Sequence, residues 1–419
     1  MKNGKKSKLI VAMLIMAMAM AMLSACTTLD SFKNTFLTRD TDNDGKNVIR
    51  IGVFEPQTGR YSDAGQSEIK GIELANSIYH SVNGYRVELI KVDTQSSTTA
   101  AESAIQGLIE MKPVAIIGSA GEATTLIASP YVDEAKIPAI TPSATNPLIT
   151  QNYRYYFRAS MTSSQMGEGI ADYTYSHLAS RHIGIITAQN DTAATALIDG
   201  FNDKIKSYMK ESKSDDSPVV MSEASDFSEE DIAKQIKNIK KKSVDTMIVP
   251  IGAETMDAFF SAIEKAGLTN IQFVGTKDWG ETEFIEMMKN HPQIKVAFPY
   301  QSVLGNTDNI TKESERFQIE YTNKYGSNDV PTEHAALGYD SYLLLINAIH
   351  NAKSIDGAEI RDSLLELKNV KCATGSFTFD ENGNTLRAVN ISTIRGGKVV
   401  SVYVTKDAAQ ATELEGIEN

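Results

Sequence analysis

From Val48 onward, segments with the apolar pattern of a β-strand alternate with segments whose apolar residues have helical spacing. Residues 48–54 form a β-branched apolar run, residues 68–80 carry apolar side chains at helical spacing, and residues 85–93 alternate as a strand does. The same order is repeated by a helical stretch at 98–111, a strand at 114–118, a helix at 123–135 and a strand at 138–141. Short strands separated by helices predict βαβ units, and hence a parallel sheet covered on both faces.

A second series of the same kind begins after Arg158. It predicts helices over 165–179, 193–209 and 254–266, a capped helix after Ser228, and strands over 183–187, 219–222, 246–250 and 271–275. The pattern therefore predicts two parallel-sheet lobes in succession. Periodicity does not assign the last elements to a lobe; they are helices over 313–325 and 339–349 and strands over 376–379, 389–394 and 399–404.

The first residues predict an export signal. Four lysines precede an apolar run that ends in Leu23-Ser24-Ala25-Cys26, which resembles a bacterial lipobox. The run is shorter than the roughly 20 residues that a transmembrane helix needs. We therefore expect residues 1–25 to be removed as a signal peptide and Cys26 to carry the acyl chains that anchor the protein on the extracytoplasmic face of the cell membrane.

The composition narrows the possible functions. The formal net charge is −12, and removal of the lysine-rich signal makes the chain more acidic still, which argues against a nucleic-acid partner. Cys372 is the only cysteine besides Cys26, and we expect it to be a buried apolar residue. The sequence has no GxSxG turn, no phosphate-binding loop and no paired-histidine metal motif. It therefore predicts no enzyme, no catalytic residue, no cofactor and no metal site.

Four segments carry a resemblance to a known family. They are residues 51–61 (IGVFEPQTGRY) followed by Gly65 and Gly71, residues 116–118 (IIG) with 140–147 (ITPSATNP), residues 267–268 (GL) with 273–275 (FVG), and residues 375–383 (GSFTFDENG). Together they resemble the solute-binding proteins of branched-chain amino-acid ABC transporters, the leucine/isoleucine/valine-binding family with the type I periplasmic fold. The SATNP sequence is the most specific of these matches.

The resemblance implies two doubly wound α/β lobes with parallel sheets, joined by a hinge of three crossings. Residues 48–158 and 300–370 would form the first lobe, and residues 159–299 and 371–406 the second. A flexible tether over 26–47 and a polar tail over 407–419 would flank them.

The resemblance also implies that the protein delivers an amino acid or related polar compound to the permease subunits of an ABC transporter. We expect a monomer that is held at the membrane by its lipid anchor. A ligand-sensing receptor of the same fold, which signals to a membrane protein, is the alternative.

The resemblance places the ligand at the carboxyl ends of the parallel strands, between the lobes. Family members hold the ligand's carboxylate with the loop after the strand at 116–118 and with the threonine that matches Thr145. The backbone around Ser143 and Ala144 is retained as well. These three residues are therefore candidates for ligand binding.

Two other matched positions differ in charge from the family. Glu122 stands where the family has a carboxylate-binding serine, and Lys277 stands where an acid holds the ligand's ammonium. A shifted alignment would instead place Thr124 or Asp278 in these roles. We expect Glu122 and Lys277 to face each other across the cleft and to disfavour ordinary branched-chain amino acids. They either pair when the lobes close or meet complementary groups on a different ligand.

Three further residues are candidates for the cleft wall. Thr192 lies near the position of a family tyrosine that is missing here. Tyr61 and Trp279 each follow a predicted strand, where an aromatic ring can stack on a ligand. For Trp279, surface packing is an equal alternative.

Overall fold

Two seven-stranded sheets organise the part of the chain that the computed structural model describes, which is residues 37–38, 47–188, 192–301 and 311–405. The strands of the first sheet are β1 (Leu37–Thr38), β2 (Val48–Glu55), β3 (Ser81–Val82), β4 (Tyr85–Asp93), β5 (Ala115–Ile117), β6 (Ala139–Thr141) and β7 (Tyr156–Arg158). Their order is β1-β4-β2-β5-β6-β7, and β3 also pairs with β4. The five strands from β4 to β7 in this order are parallel, whereas β1 and β3 run antiparallel to β4.

The second sheet repeats this arrangement with an antiparallel edge. Its strands are β8 (Ile183–Ala188), β9 (Val219–Ser225), β10 (Thr246–Ile248), β11 (Gln272–Val274), β12 (Lys295–Pro299), β15 (Asn390–Arg395) and β16 (Lys398–Val404). The order is β16-β15-β12-β11-β10-β8-β9, and only β15 and β16 pair antiparallel to their neighbours. A short antiparallel hairpin, β13 (Val370–Cys372) and β14 (Gly375–Phe377), stands apart from both sheets.

Helices cover both faces of each sheet. Those that pack on the first sheet are α1 (Ser62–Ile78), α2 (Thr98–Glu110), α3 (Glu122–Ala135), α4 (Leu148–Gln151), α10 (Lys312–Tyr325), α11 (Glu333–Asn351) and α12 (Gly357–Glu366). Those of the second sheet are α5 (Ser163–Ala171), α6 (Thr192–Ser212), α7 (Glu229–Lys242), α8 (Ala253–Lys265) and α9 (Thr282–Met288). We call each sheet with its helices the first and the second lobe.

Each sheet has a separate hydrophobic core on either face. In the first lobe, Ile51 and Val53 of β2 pack with the buried helix α11, while Phe54 packs on the opposite face with α2 and α3. In the second lobe, Phe273 and Ile248 belong to the cores on the two opposite faces. These double-sided cores and the parallel sheets confirm the predicted fold class.

The chain crosses between the lobes after β7, after β12 and again before β15. Cys372 and Phe377 of the hairpin are buried in the core of the first lobe. We therefore propose that the third crossing follows Phe379, which is later than the boundary at 370 that the sequence suggests.

Some local predictions differ from the structure. The predicted helix over 165–179 ends as α5 at Ala171 and continues as a π-helical turn, Asp172–His177. The helices α9 and α12 were not predicted, because seven and ten residues carry too few apolar positions to define a period. Residues 1–25, Cys26 and the tail at 407–419 lie outside the described residues, and so does most of the predicted tether. Within the described ranges, no helix is both long enough and apolar enough to cross a membrane.

The helices α1 and α11 cross at two glycines, which allow their backbones to touch. A Cβ atom on Gly71 would lie 1.8 Å from the carbonyl oxygen of Ala335, and one on Gly338 would lie 2.3 Å from the carbonyl oxygen of Glu68. This close crossing fixes the start of α11 beside α1. The charged residues of the site are positioned by it.

Substitution of Gly71 tests this crossing. We expect Gly71→Ala to lower the free energy of unfolding by about 1–3 kcal/mol, because the added methyl group meets a backbone carbonyl that cannot rotate away. Without that contact, alanine in a helix would be stabilising by up to about 1 kcal/mol. Urea denaturation provides the measurement, with Gly252→Ala as the control because its Cβ would meet nothing within 4 Å. An unchanged or higher stability of Gly71→Ala would contradict the packing.

Candidate functional site

Polar side chains gather at the carboxyl edges of both parallel sheets. In the first sheet, β4 lies on one side of β2 and β5 on the other, so the connections after β2 and β5 diverge. In the second sheet, β9 and β10 flank β8 in the same way. Such switch points leave a crevice at the carboxyl ends of the strands. The site described below is built from loops at these ends and from the start of α11.

The carboxylate of Glu122 is bound by the loop after β6. Its Oε1 accepts hydrogen bonds from the backbone N–H of Thr145 at 2.7 Å and from the Thr145 hydroxyl at 3.1 Å, and its Oε2 accepts one from the N–H of Asn146 at 3.0 Å. Glu122 is also the first residue of α3, where the helix dipole favours an acid. Three donors of the first lobe therefore hold this carboxylate in place.

Ser143 and Ala144 lie in the same loop and form hydrogen bonds with residues of the first lobe and of the crossing after β7. The Ser143 hydroxyl donates to Oε1 of Glu68 at 2.5 Å. The Ala144 carbonyl accepts from Nη1 of Arg158 at 3.3 Å and from the Ser160 hydroxyl at 2.7 Å. These contacts shape the loop around Glu122.

Thr124 and Tyr61 occupy different environments beside this loop. The Thr124 hydroxyl is buried and donates to the carbonyl of Gly121 at 2.9 Å, as well as contacting Ser119 Oγ at 3.1 Å. Tyr61 is 43% exposed, and the Arg60 guanidinium lies 5.7 Å from its ring centroid. Of the two, only Tyr61 presents a surface that a ligand can reach.

Two buried carboxyl groups, Glu55 and Glu68, were not singled out from the sequence. Burial raises the pKa of Glu55 well above its ordinary value, and the charge of Glu68 and a hydrogen bond with it raise the pKa further. The two carboxyl groups therefore lie close together in a buried environment that disfavours two negative charges. A signal was available, because Glu68 lies on the buried face of α1 with Ile72 and Ala75.

His334 links this carboxyl pair to the second lobe. Its Nδ1 lies 2.9 Å from Oε1 of Glu68, and its Nε2 lies 3.7 Å from Oε1 of Glu281. Burial lowers the pKa of His334, but the hydrogen bond with Glu68 and its charge outweigh that effect and raise the pKa. The imidazole of His334 therefore lies between acids of both lobes.

Lys277 is the cation that the second lobe contributes. It follows β11, and its side chain is 19% exposed. Burial lowers the pKa of Lys277, but four carboxylates more than offset this and the pKa is raised. They belong, in order of decreasing effect, to Asp278, Glu333, Glu281 and Glu122. Glu122 and Glu333 belong to the first lobe, so acids of both lobes contribute to the raised pKa of Lys277.

Glu333 is the first residue of α11 and is only 4% exposed. Burial raises its pKa to about 7, although the charges of Lys277 and His334 and the backbone N–H of Gln301 lower it. Sequence patterns did not single out Glu333 or His334, since they stand at the start of an apolar helix far along the chain.

The two residues after Lys277 point to different surroundings. The Asp278 side chain is 61% exposed, and its Oδ1 lies 3.6 Å from the Lys277 ammonium. Trp279 is fully buried in the second lobe, where its Nε1–H donates to the carbonyl of Ile251 at 2.7 Å and its ring stacks on Phe284 with centroids 4.6 Å apart. Trp279 therefore packs in the hydrophobic core of the second lobe, neither at the surface nor in the cleft wall.

Two predicted residues cannot be placed against this site. Thr192 is the first residue of α6, but its side chain lies outside the described residues, and Cys26 does so entirely. Within the described parts of the chain, no three His, Cys, Asp or Glu side chains are arranged to hold a metal ion.

Comparison with known proteins gives one family and several relatives. A family model described as periplasmic binding protein matches residues 48–398. An amino acid binding protein of Pseudomonas aeruginosa is 30% identical over 156 residues, which are 36% of this chain and 41% of that protein. The Leu/Ile/Val-binding protein of Escherichia coli K12 is 23% identical over 262 residues, which are 61% of this chain and 66% of that protein. The matches thus span less than two thirds of these relatives.

A solved structure extends the likeness over the whole fold. A leucine-binding protein from Thermotoga maritima is 25% identical, with a TM-score of 0.72, and the alignment covers 87% of this chain and 100% of that one. The two proteins therefore share their overall fold over the aligned residues.

The raised pKa of Glu333 predicts a pH dependence of stability. Between its ordinary pKa of 4.5 and about 7, the folded protein keeps a proton on Glu333 that the unfolded chain has lost. The free energy of unfolding should therefore fall as the pH rises through this range, and Glu333 should contribute about 3 kcal/mol of that decrease.

Urea denaturation at several pH values tests this contribution. We expect Glu333→Gln to remove it, so that the difference in unfolding free energy between wild type and variant declines from pH 4.5 to 7.5. Glu229→Gln is the matched control, because Glu229 also begins a helix after a capping residue but is exposed. Parallel curves for wild type and Glu333→Gln would refute the assignment.

Proposed function

Since this chain belongs to the periplasmic binding protein family, we propose that it is an extracytoplasmic solute-binding protein that captures a small molecule between its lobes and delivers it to an ABC transporter permease. The ligand is an amino acid or a related polar compound. The protein binds this compound without transforming it and acts as a monomer.

The observation that carries this proposal is the set of charges that meet between the lobes. Lys277 of the second lobe interacts with Glu122 and Glu333 of the first. His334 of the first lobe contacts Glu281 of the second. Charged groups that are partly buried between two lobes suit a polar ligand, because they can exchange water for ligand contacts when the lobes close.

The names of the relatives support the choice of ligand class. One is an amino acid binding protein, one binds leucine, isoleucine and valine, and the solved structure is of a leucine-binding protein. Tyr61, Glu122, Thr145 and Lys277 are the residues we propose for the site, with the loop at Ser143 and Ala144 and the hydroxyl of Thr124 supporting Glu122. Asp278 and Thr192 are proposed at its rim.

A ligand should close the two lobes. We expect a cognate compound from a thermal-shift screen of amino acids, amides, polyamines and aromatic acids to stabilise the protein by about 2.7 kcal/mol at 100 times its dissociation constant. Small-angle scattering with that compound should show a smaller radius of gyration, because closure expels water from the cleft. A screen without any stabilising compound, or an unchanged radius at saturation, would count against the proposed function.

We also propose that Cys26 is the acylated first residue of the mature protein. We expect mass spectrometry of membrane extracts to find diacylglyceryl on Cys26, and Cys26→Ser to leave the protein uncleaved and without lipid. Cys372→Ser is the control, because that thiol is buried within the first lobe. A mature protein that begins elsewhere and partitions into the aqueous phase would refute the anchor.

A further inference from the structure

Glu122 occupies three donors of the loop after β6. The N–H groups of Thr145 and Asn146 and the hydroxyl of Thr145 all donate to Glu122. A ligand carboxylate at this place would need to displace Glu122 from three hydrogen bonds. It would also face a negative charge of the protein at close range, which is repulsive in a partly buried site.

Donors without a partner among the described residues lie in the segment of Lys277 and in the crossing after β12. The Lys277 ammonium has one ion pair among the described residues, with Asp278 at 3.6 Å, and this distance is too long for a hydrogen bond. The Nε2 of Gln301 is buried and has no hydrogen-bond partner within the described residues, and the same holds for the hydroxyl of Thr276, the neighbour of Lys277. A buried donor without a partner lowers stability, so these groups favour a ligand that offers a hydrogen-bond acceptor.

The charge of the site favours a cation with a neutral acceptor. Six carboxyl groups, those of Glu55, Glu68, Glu122, Asp278, Glu281 and Glu333, outnumber the three basic side chains of Lys277, His334 and Arg158. A ligand carboxylate would add to this excess of acids, even if it lay next to Lys277. An amide or ketone oxygen can accept a hydrogen bond from Lys277 without adding charge.

We propose that the ligand is a cationic amine that bears a neutral carbonyl oxygen, such as the amide of an amino acid, with its ammonium at Glu122 and its carbonyl oxygen at Lys277 and Gln301. Glu122 and Lys277 are then the residues that determine specificity. This inference rests on the proposed function, since it names the class of solute for the same cleft.

Calorimetry with three related compounds tests the inference on the full-length protein in detergent. L-Leucine, L-leucinamide and isopentylamine share one side chain and differ in carrying a carboxylate, an amide or neither. We expect leucinamide to bind at least tenfold more tightly than leucine and more tightly than isopentylamine. Phenylalanine, phenylalaninamide and phenethylamine repeat the comparison with a larger side chain.

Variants assign the two ends of the ligand. We expect Glu122→Gln to weaken leucinamide at least tenfold, and Glu122→Ser to bring leucine above leucinamide because it frees the donors of Thr145 and Asn146. Glu134→Gln, at the exposed far end of α3, is the control. Lys277→Met should abolish the advantage of leucinamide over isopentylamine, because the carbonyl oxygen then has no ammonium to accept from, with the exposed Lys289→Met as the control.

Several outcomes would overturn the inference. Leucine binding as tightly as leucinamide in the wild type would do so, as would a ratio of the two that Glu122→Ser leaves unchanged. So would the absence of binding by both amides. These outcomes are distinct from failure of the proposed function. A different compound that stabilises the protein in the thermal-shift screen and lowers its radius of gyration would keep that function and exclude only the amino-amide class.

Discussion

Parallel strand pairing is the constraint on which the site of this protein depends. In each lobe the parallel strands need helical crossovers, which cover both faces of the sheet with apolar side chains. Polar groups can then collect only where the strands end, and in a parallel sheet those ends share one edge. The acids, the lysine and the histidine of the cleft lie at that edge or at a helix that a glycine crossing holds against it.

The buried carboxylate of Glu122 and the guanidinium of Arg158 at this edge each have specific hydrogen-bond partners. Glu122 is held by three donors, and the loop that provides them is held by Arg158, which is fully buried and donates to the carbonyl of Asn146 at 2.7 Å. Burial lowers the pKa of Arg158 to about 10, although the charges of Glu122 and Asp380 raise it. Removing one member of such a set leaves its partner buried without a match, which costs more than the pair contributes. This mutual dependence gives the loop one conformation.

The sequence predicts the fold well where the periodic run is long, as in β2 and β4, and the family resemblance suggests Glu122, Thr145 and Lys277 as candidates for the site. It does not reveal that Glu68 meets His334, because these residues are 266 positions apart and only the crossing of α1 and α11 brings them together. It also leaves Trp279 undecided, since an aromatic residue after a strand can face the cleft or fold back under it. Periodicity describes one element at a time, whereas the site is made by contacts between elements.

The contact between His334 and Glu281 has a consequence for affinity. It is made by the protein's own side chains, so the approach of the two lobes has stabilisation that does not come from a ligand. When a ligand binds only closed molecules, its apparent affinity is the intrinsic affinity multiplied by the fraction of molecules that are closed before binding. Under the proposed function, this contact between protein side chains contributes to the apparent dissociation constant.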